Sequence, residues 1–411
     1  MFRQTGVTIV GLVTSVVIAR VWGPEGAGWF FICHFLSNIA FTITAAGFPA
    51  AITYSLSSKS RGHEELIAWS LVRIPLVLLI QWLFISIYIL GFADLNIKNI
   101  NVTVGMMVLL ATLNTFKEFI LAILQSKKDI IRYNKCLAIE SFSILVLLTI
   151  FSTLKLPMLM SIFCSLILAS ILGFLPTAID LLKKVYWPNQ LKKNQRDTIV
   201  FAMKSYPSAL LAFLNNRFSI IFITAFFNIE ALGIFSVALT LSEKLLTLAR
   251  AVSISIFPRI ADKSSNANFH TPLVASLTFW VTGIIAIALA AIAKPLITHL
   301  YGTNFSEAIT FVYVLVSAIP FFAVSRILAQ DLAGRGKPEL NAITSASALA
   351  VNITLCFFLY EKFQLLAVVI SFAGSMLTNT ILKIIIWCKL TKQPITRLFL
   401  LNTSSIKSYF T

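Results

Sequence analysis

The stretch "GAGWFFICHFLSNIAFTITAAGFPAAI", from Gly26 to Ile52, decides the fold class. It contains no Asp, Glu, Lys or Arg, and a helix of about 20 apolar residues is long enough to cross the hydrocarbon core of a bilayer. Its apolar residues form one continuous run, whereas membrane β-strands alternate over about ten residues. The stretch therefore predicts a transmembrane helix that begins near Gly28 and ends near Phe48-Pro49.

The rest of the chain repeats this pattern. Of its 411 residues, 58% are hydrophobic and only 12% are charged, whereas soluble proteins carry about 25% charged residues. Apolar windows separated by loop residues predict an all-α polytopic membrane protein with about twelve spans. We expect the first span to be retained rather than cleaved as a signal peptide. The predicted spans are 5–21, 29–50, 66–90, 102–124, 136–154, 157–179, 204–228, 232–254, 273–296, 308–330, 338–358 and 364–387.

The basic residues predict the orientation of these spans. With the N-terminus inside, the inner loops hold 20 Lys and Arg residues and the outer loops hold five. Cytoplasmic loops carry such an excess, so both termini are predicted to be cytoplasmic. The same clustering explains the net charge of +17 without nucleic-acid binding. The five outer basic residues are Arg20, Lys98, Lys155, Lys294 and Lys362.

The two halves of the chain resemble each other. A second stretch is "LGIFSVALTLSEKLLTLARAVSISIFPRI" (Leu232 to Ile260). Its predicted helix begins at Gly233 and ends near Phe257-Pro258, as the helix of the first stretch begins at Gly28 and ends near Phe48-Pro49. We therefore predict two six-helix bundles around a central cavity, an arrangement found in transporters. The predicted organisation is an N-terminal bundle over 1–185, a basic cytoplasmic linker over 186–203, a C-terminal bundle over 204–390 and a cytoplasmic tail over 391–411.

Ionisable residues inside the spans are the candidates for function. Each costs about 2.5–3.5 kcal/mol at mid-helix, which makes it a functional-site candidate by default. Arg217, Lys244, Lys117 and Arg73 lie well inside spans, whereas Lys204, Arg250, Arg326 and Lys383 lie near inner helix ends, where long side chains can reach water. Asn215 and Asn216 precede Arg217 and are expected to line a wet cavity. Carboxylates inside the spans are few, so the surplus positive charge suits an anionic substrate such as a phosphate or pyrophosphate.

The sequence predicts no catalytic residue, no metal site and no cofactor. No outer loop is long enough to hold an active site, and "AGRGKP" (Ala333 to Pro338) lacks the spacing of a phosphate-binding loop. The five cysteines fall in or beside apolar segments without metal-ligand spacing. The chain is therefore expected not to be an enzyme.

Three strings resemble polysaccharide flippases of the Wzx type, which belong to the multidrug/oligosaccharidyl-lipid/polysaccharide exporter superfamily that also contains the MATE transporters. They are "IARVWGPEGAGWF" (Ile18 to Phe30), "ALGIFSVALTLSEKL" (Ala231 to Leu245) with "FPRI" (Phe257 to Ile260), and "LYGTNFSEA" (Leu300 to Ala308). The resemblance implies a MATE-like fold and translocation of an undecaprenyl-pyrophosphate-linked O-antigen or capsule repeat unit from the cytoplasmic to the periplasmic leaflet of the bacterial inner membrane. It implies a role in lipopolysaccharide or capsule synthesis.

The resemblance also implies which residues hold the pyrophosphate and the anionic sugars. These are Arg217, Lys244, Lys117 and Arg73, with Arg250 as a fifth. The implied partners are the lipid-linked oligosaccharide, membrane lipids, a polysaccharide polymerase and a chain-length regulator, and no nucleic acid. Two alternatives remain open, a flippase for the peptidoglycan lipid precursor and a cation-coupled multidrug exporter. Proton coupling, sodium coupling and downstream removal of the product remain open as energy sources.

Overall fold

A computed structural model describes residues 2–45, 74–92, 100–127, 129–183, 195–261, 267–335, 337 and 339–400. Within these ranges some side chains are not described, including those of 195–205 and 247–261. The described residues form eleven long helices. These are α1 (Phe2–Ala45), α2 (Ile74–Phe92), α3 (Ile100–Ser126), α4 (Ile130–Thr153), α5 (Met158–Leu182), α6 (Gln195–Phe226), α7 (Ile229–Ala261), α8 (Ala267–Leu296), α9 (Glu307–Gly334), α10 (Glu339–Phe363) and α11 (Leu365–Thr391).

The first helical run is two helices that meet at Gly23. This glycine has φ 65° and ψ −159°, which no helix contains, and Pro24 follows it. Proline suits the first turn of a helix, because its missing N–H would have no partner there. With α1 divided in this way, the described residues contain twelve long helices, and each overlaps one predicted span. The all-α fold class is confirmed.

By length and composition, eight described helices could cross a membrane. The break at Gly23 falls inside one of them, Gly6–Ala45, and Leu79–Tyr88 and Leu210–Phe226 are shorter apolar helices. The chain is a multi-pass membrane protein. Helices suit a membrane because their backbone N–H and C=O groups bond to each other, whereas lipid tails offer these groups no hydrogen bond.

The chain divides into two compact units. Unit 1 comprises Met1–Leu210 and Thr224–Gly233, and unit 2 comprises Leu211–Ile223 and Ile234–Thr411. The predicted division at 185–204 stays a prediction, and part of the predicted linker lies outside the described residues. The other part is helical, because α6 begins at Gln195. The corner between α6 and α7 belongs to unit 1, and there Asn228 Oδ1 accepts a hydrogen bond from the Ala231 N–H at 2.8 Å.

Each unit has an apolar core built from several helices. In unit 1, a cluster of α3, α4 and α5 residues includes Leu124, Cys136 and Phe174. In unit 2, Trp387 of α11 packs with residues of α8 and α9 and with Leu398, which belongs to the 3₁₀ turn Ile395–Leu398. The predicted tail therefore begins as a packed segment of unit 2, and residues 401–411 lie outside the described residues.

The motif "LYGTNFSEA" forms the connection between α8 and α9. A π-helical turn, Ile297–Tyr301, is followed by Gly302 at φ 105° and by the 3₁₀ turn Thr303–Phe305. Glycine suits position 302 because its backbone lies in a region that other residues rarely adopt. Tyr301 and Phe305 are buried, with their ring centroids 5.9 Å apart.

Candidate functional site

Arg217 and Glu243 form an ion pair in unit 2. The Arg217 Nη1 lies 3.2 Å from the Glu243 Oε1, and the two side chains are 30% and 37% exposed. Arg217 stands nine residues before the end of α6 at Phe226, about 14 Å along the helix. The pair therefore lies deep within a span and still has polar surface left uncovered. The arginine guanidinium has five N–H donors, so it can donate hydrogen bonds to one carboxylate and to a second anion.

Buried polar side chains lie near this pair in sequence on α6 and α7. Asn215 and Ser219 lie two residues on either side of Arg217, so they share the face of α6 opposite to it, and Ser242 precedes Glu243. All three are buried, and the Asn215 Oδ1, Ser219 Oγ and Ser242 Oγ atoms find no hydrogen-bond partner among the described residues. Buried polar atoms are normally satisfied by protein or ordered water. The buried face of α6 that carries Asn215 and Ser219 is therefore suited to hold ordered water, and it is separate from the face that carries Arg217.

The structure describes the other predicted binding residues to different extents. Lys244 follows Glu243 on α7 and is partly buried, and Asn216 is partly buried beside Arg217. Arg250 lies on α7, but its side chain is not described. Arg73 lies outside the described residues.

Lys117 belongs to a separate cluster in unit 1. Its Nζ lies 3.1 Å from the Glu140 Oε1, and the Ser170 hydroxyl donates to the same oxygen at 3.2 Å. The Lys117 Nζ also lies 5.9 Å from the Phe174 ring centroid. Gly173 allows α4 and α5 to approach, since a Cβ there would lie 2.9 Å from the Glu140 Cβ. Lys117 thus has a buried carboxylate partner and joins α3 to α4.

Replacing Glu140 with alanine should destabilise unit 1 by about 3–5 kcal/mol, because it leaves the Lys117 charge buried without its partner. The double substitution Lys117→Met/Glu140→Leu should recover most of this loss. The measurement is the thermal denaturation midpoint of the detergent-solubilised protein, followed by size-exclusion chromatography.

The exposed pair between Arg132 and Asp180, at 2.8 Å, provides the control. Arg132→Ala should cost at most about 1 kcal/mol, since exposed ion pairs contribute little. Equal midpoints for Glu140→Ala and Arg132→Ala would contradict the buried role. If the double variant folds and keeps the activity predicted from the sequence, Lys117 serves the fold and not the predicted anion site.

Sequence reasoning missed Gln81, the centre of a polar network in unit 1. Gln81 is fully buried. Its Nε2 donates to the Thr115 Oγ1 at 2.7 Å and to the Thr44 Oγ1 at 3.2 Å. Its Oε1 accepts a hydrogen bond from the Thr112 hydroxyl at 3.3 Å. The network joins α1, α2 and α3. The signal was available, because Gln81 is the one amide in the apolar run Ile74–Phe92.

Lys383 differs from the expectation that it reaches water. It is 5% exposed, and its Nζ donates to the Ser325 Oγ at 3.3 Å, between α11 and α9. The neighbouring Arg326 places its guanidinium 5.0 Å from the Phe322 ring centroid. Burial between two helices, rather than the distance to the helix end, decides the environment of Lys383.

The two glycines that begin the related stretches meet in unit 1. A Cβ added at Gly28 would collide with the Ile229 carbonyl oxygen, and one added at Gly233 would collide with the Pro24 carbonyl oxygen. The second half of α1 and the start of α7 therefore touch backbone to backbone. Only glycine permits this approach.

A family model for polysaccharide biosynthesis proteins matches residues 1–264. The chain belongs to this family. This match confirms the prediction from the three motifs that the chain belongs to a family of polysaccharide biosynthesis proteins. No curated protein matches the chain.

Solved structures of a lipid flippase and of multidrug transporters share the fold. The lipid II flippase MurJ in an inward closed conformation matches with a TM-score of 0.81 at 14% identity, over 100% of this chain and 91% of MurJ. An inward-facing multidrug resistance MATE transporter matches at 0.68 and 16% identity, over 95% of each chain. The MATE transporter VcmN of Vibrio cholerae matches at 0.67 and 15%, over 96% of this chain and 95% of its own. The chain therefore has the MurJ and MATE fold.

Proposed function

We propose that this protein flips an undecaprenyl-pyrophosphate-linked oligosaccharide, an O-antigen or capsule repeat unit, from the cytoplasmic to the periplasmic leaflet of the bacterial inner membrane. The observation that carries this proposal is membership of the polysaccharide biosynthesis family, combined with the fold of a lipid flippase. The charge asymmetry of the loops supports cytoplasmic positions for both termini.

The cluster on α6 and α7 supports an anionic headgroup as the ligand. Arg217 and Lys244 bring two positive charges to one carboxylate, Glu243, so the three residues carry a surplus of one positive charge. A pyrophosphate approaching Arg217 offers stronger, charge-assisted hydrogen bonds than a neutral group would. In this proposal the phosphate competes with Glu243 for the guanidinium, and Asn216 beside Arg217 supplies polar lining. Arg73 and Arg250 add positive charge, and Lys117 contributes only if it leaves Glu140.

Alternating access is the proposed mechanism. A pyrophosphate cannot cross about 30 Å of hydrocarbon unaided, because an isolated buried charge costs tens of kcal/mol. A polar lining within the protein replaces the lost water while the polyprenyl tail stays in the lipid. Opening to one side and then the other moves the headgroup without exposing it to hydrocarbon.

The test is a deletion strain whose lipids are extracted and analysed by mass spectrometry. We expect lipid-linked repeat units to accumulate and surface polysaccharide to disappear, and a plasmid copy of the gene to restore both. Unchanged lipid intermediates with intact surface glycan, in a strain without a redundant flippase, would reject the proposal.

The likeness to MurJ favours a second candidate, a flippase for the peptidoglycan lipid precursor. The same extraction distinguishes the two, because that function predicts accumulation of the peptidoglycan precursor and loss of viability. The MATE likeness leaves a cation-coupled drug exporter as a third candidate. Such an exporter needs buried carboxylates to bind protons and cations. Two of the three carboxylates well inside the predicted spans, Glu140 and Glu243 but not Glu118, are already paired with bases among the described residues.

A further inference from the structure

A groove of about 600 Å³ lies between the first half of α1 and the start of α4, within unit 1. We call it the α1–α4 groove. Its walls are mostly apolar, with Asn134 and Lys135 near the end where α4 begins. The residues that define it are Gly6, Val7, Val10, Ile131, Lys135 and Phe142.

Gly6 leaves the α1 wall of the groove without a side chain. A Cβ built on Gly6 would find nothing within 4 Å. On the facing wall, Ile131 is 68% exposed and Phe142 is 59% exposed. Large apolar side chains of a membrane protein that the protein leaves uncovered face the hydrocarbon of the bilayer. The part of the groove towards Phe142 is therefore open to lipid, whereas the end at Asn134 and Lys135 adjoins the polar headgroup region.

The dimensions of the groove fit a single acyl chain. Beyond Lys135 the groove reaches Phe142, seven residues further along α4 and about 10 Å along the helix axis. This apolar part lies within one leaflet of the roughly 30 Å hydrocarbon core. A volume of about 600 Å³ holds about 20 groups of about 30 Å³ each, the share of one water molecule in the liquid. A methylene group is similar in size, so the groove fits one phospholipid acyl chain and not the far longer undecaprenyl tail.

The charge at the mouth of the groove selects an anionic headgroup. Lys135 is exposed and forms no ion pair with any residue that the structure describes. The neighbouring Arg132 is different, because it contacts Asp129 at 3.3 Å and Asp180 at 2.8 Å. Lys135 is thus the basic side chain that remains available, and Asn134 adds an amide beside it. Basic pockets between helices on the cytoplasmic side of a membrane bind anionic lipid headgroups.

We propose that the α1–α4 groove binds one anionic phospholipid of the cytoplasmic leaflet. An acyl chain lies between Gly6 and Phe142, and the headgroup phosphate contacts Lys135. This lipid is a bound component of the protein and not its cargo. The proposal goes beyond the flippase function and does not depend on it.

Native mass spectrometry of the full-length protein, delipidated in detergent, tests the proposal by titration with phosphatidylglycerol or phosphatidylcholine. We expect one phosphatidylglycerol to bind in preference to phosphatidylcholine. Gly6→Phe should fill the groove and weaken binding of this lipid at least tenfold. Lys135→Ala should weaken it about fivefold, the contribution of one basic residue near an anionic surface, and remove the preference for phosphatidylglycerol.

Matched controls stand on the same elements. Gly11→Phe places the same side chain on α1 where an added Cβ also meets open space, but Gly11 does not line the groove. Lys127→Ala removes an exposed charge just before α4 that is also outside the groove. Both variants should bind phosphatidylglycerol as the unmodified protein does.

Two results would overturn the proposal. One is equal binding of the two lipids together with no effect of Lys135→Ala. This readout stands even if Gly6→Phe fails to fold, because Lys135 is exposed. The other is displacement of the bound phosphatidylglycerol by undecaprenyl phosphate at equal concentration, which would assign the groove to the substrate's tail. Neither result bears on the lipid accumulation in the deletion strain, so the two proposals fail separately.

Discussion

Arg217→Ala should lower the proposed export of a lipid-linked oligosaccharide by about 10- to 100-fold, because a hydrogen bond to a charged group contributes about 1.5–3 kcal/mol. Its ion pair with Glu243 is about one-third exposed and so contributes at most about 1 kcal/mol to folding. The protein should therefore accumulate normally while transport fails. The measurements are surface polysaccharide, lipid-linked intermediates and membrane protein level in the complemented deletion strain.

Glu243→Gln separates substrate binding from a structural role of the pair. If Arg217 binds the headgroup, removing the charge of Glu243 leaves transport intact or raises affinity, because the guanidinium no longer has a competing carboxylate. If Arg217 serves only to hold Glu243, the two single variants should show equal defects. Arg217→Lys should recover transport only in part, since lysine keeps the charge but loses the two-pronged geometry. Normal transport by Arg217→Ala at normal protein level would remove this residue from the proposed site.

Gly233→Val should destabilise the contact between α1 and α7 and abolish transport. The Cβ of the new side chain would collide with the Pro24 carbonyl oxygen and would lie 3.0 Å from the Gly28 backbone nitrogen. These are backbone atoms of a helix start and cannot turn away as a flexible side chain can. Overpacking of this kind costs about 1–3 kcal/mol. The denaturation midpoint of the solubilised protein and the surface polysaccharide of the strain measure the two effects.

Gly283→Val is the matched control, because a Cβ at Gly283 on α8 meets nothing within 4 Å. This variant should transport and denature like the unmodified protein. Gly28→Val should reproduce the Gly233→Val defect, since each glycine faces a carbonyl of the opposite segment. Unchanged stability and transport in Gly233→Val would show that neither property depends on the close approach of α1 and α7.

Ion pairing narrows the set of residues suited to hold an anion. Lys117 and Arg217 looked alike in the sequence, as basic residues well inside spans. The structure gives Lys117 a largely buried partner and leaves the Arg217 pair about one-third exposed. A buried pair is costly to separate, whereas an exposed pair exchanges partners readily. Among the described residues, α6 and α7 are therefore better placed than α3 to bind a headgroup.

The sequence predicted the helices because the signal for them is local. A run of about 20 apolar residues must form a helix in lipid to satisfy its own backbone groups, so composition alone located α3, α8 and α9. The break at Gly23 was equally local, since a Gly-Pro pair ends one helix and begins the next. The strings that indicated the family are likewise read directly from the chain.

Contacts between helices could not be derived in the same way. The sequence did not place Glu243 of α7 beside Arg217 of α6, as the structure does. It gave Lys383 a position near a helix end, but the packing of α11 against α9 buries it. Each outcome depends on the rotation of one helix against another, which the apolar pattern of a lipid-embedded helix does not specify.

The sequence by itself thus determined where the long helices lie, the class of fold and the family of this protein. Only the tertiary structure decided which charges neutralise each other, that Gly28 and Gly233 belong to one contact, and that Gly6 opens a groove beside Lys135. The physical reason is that lipid drives helix formation one segment at a time. Close packing and hydrogen bonds between finished helices then select their partners.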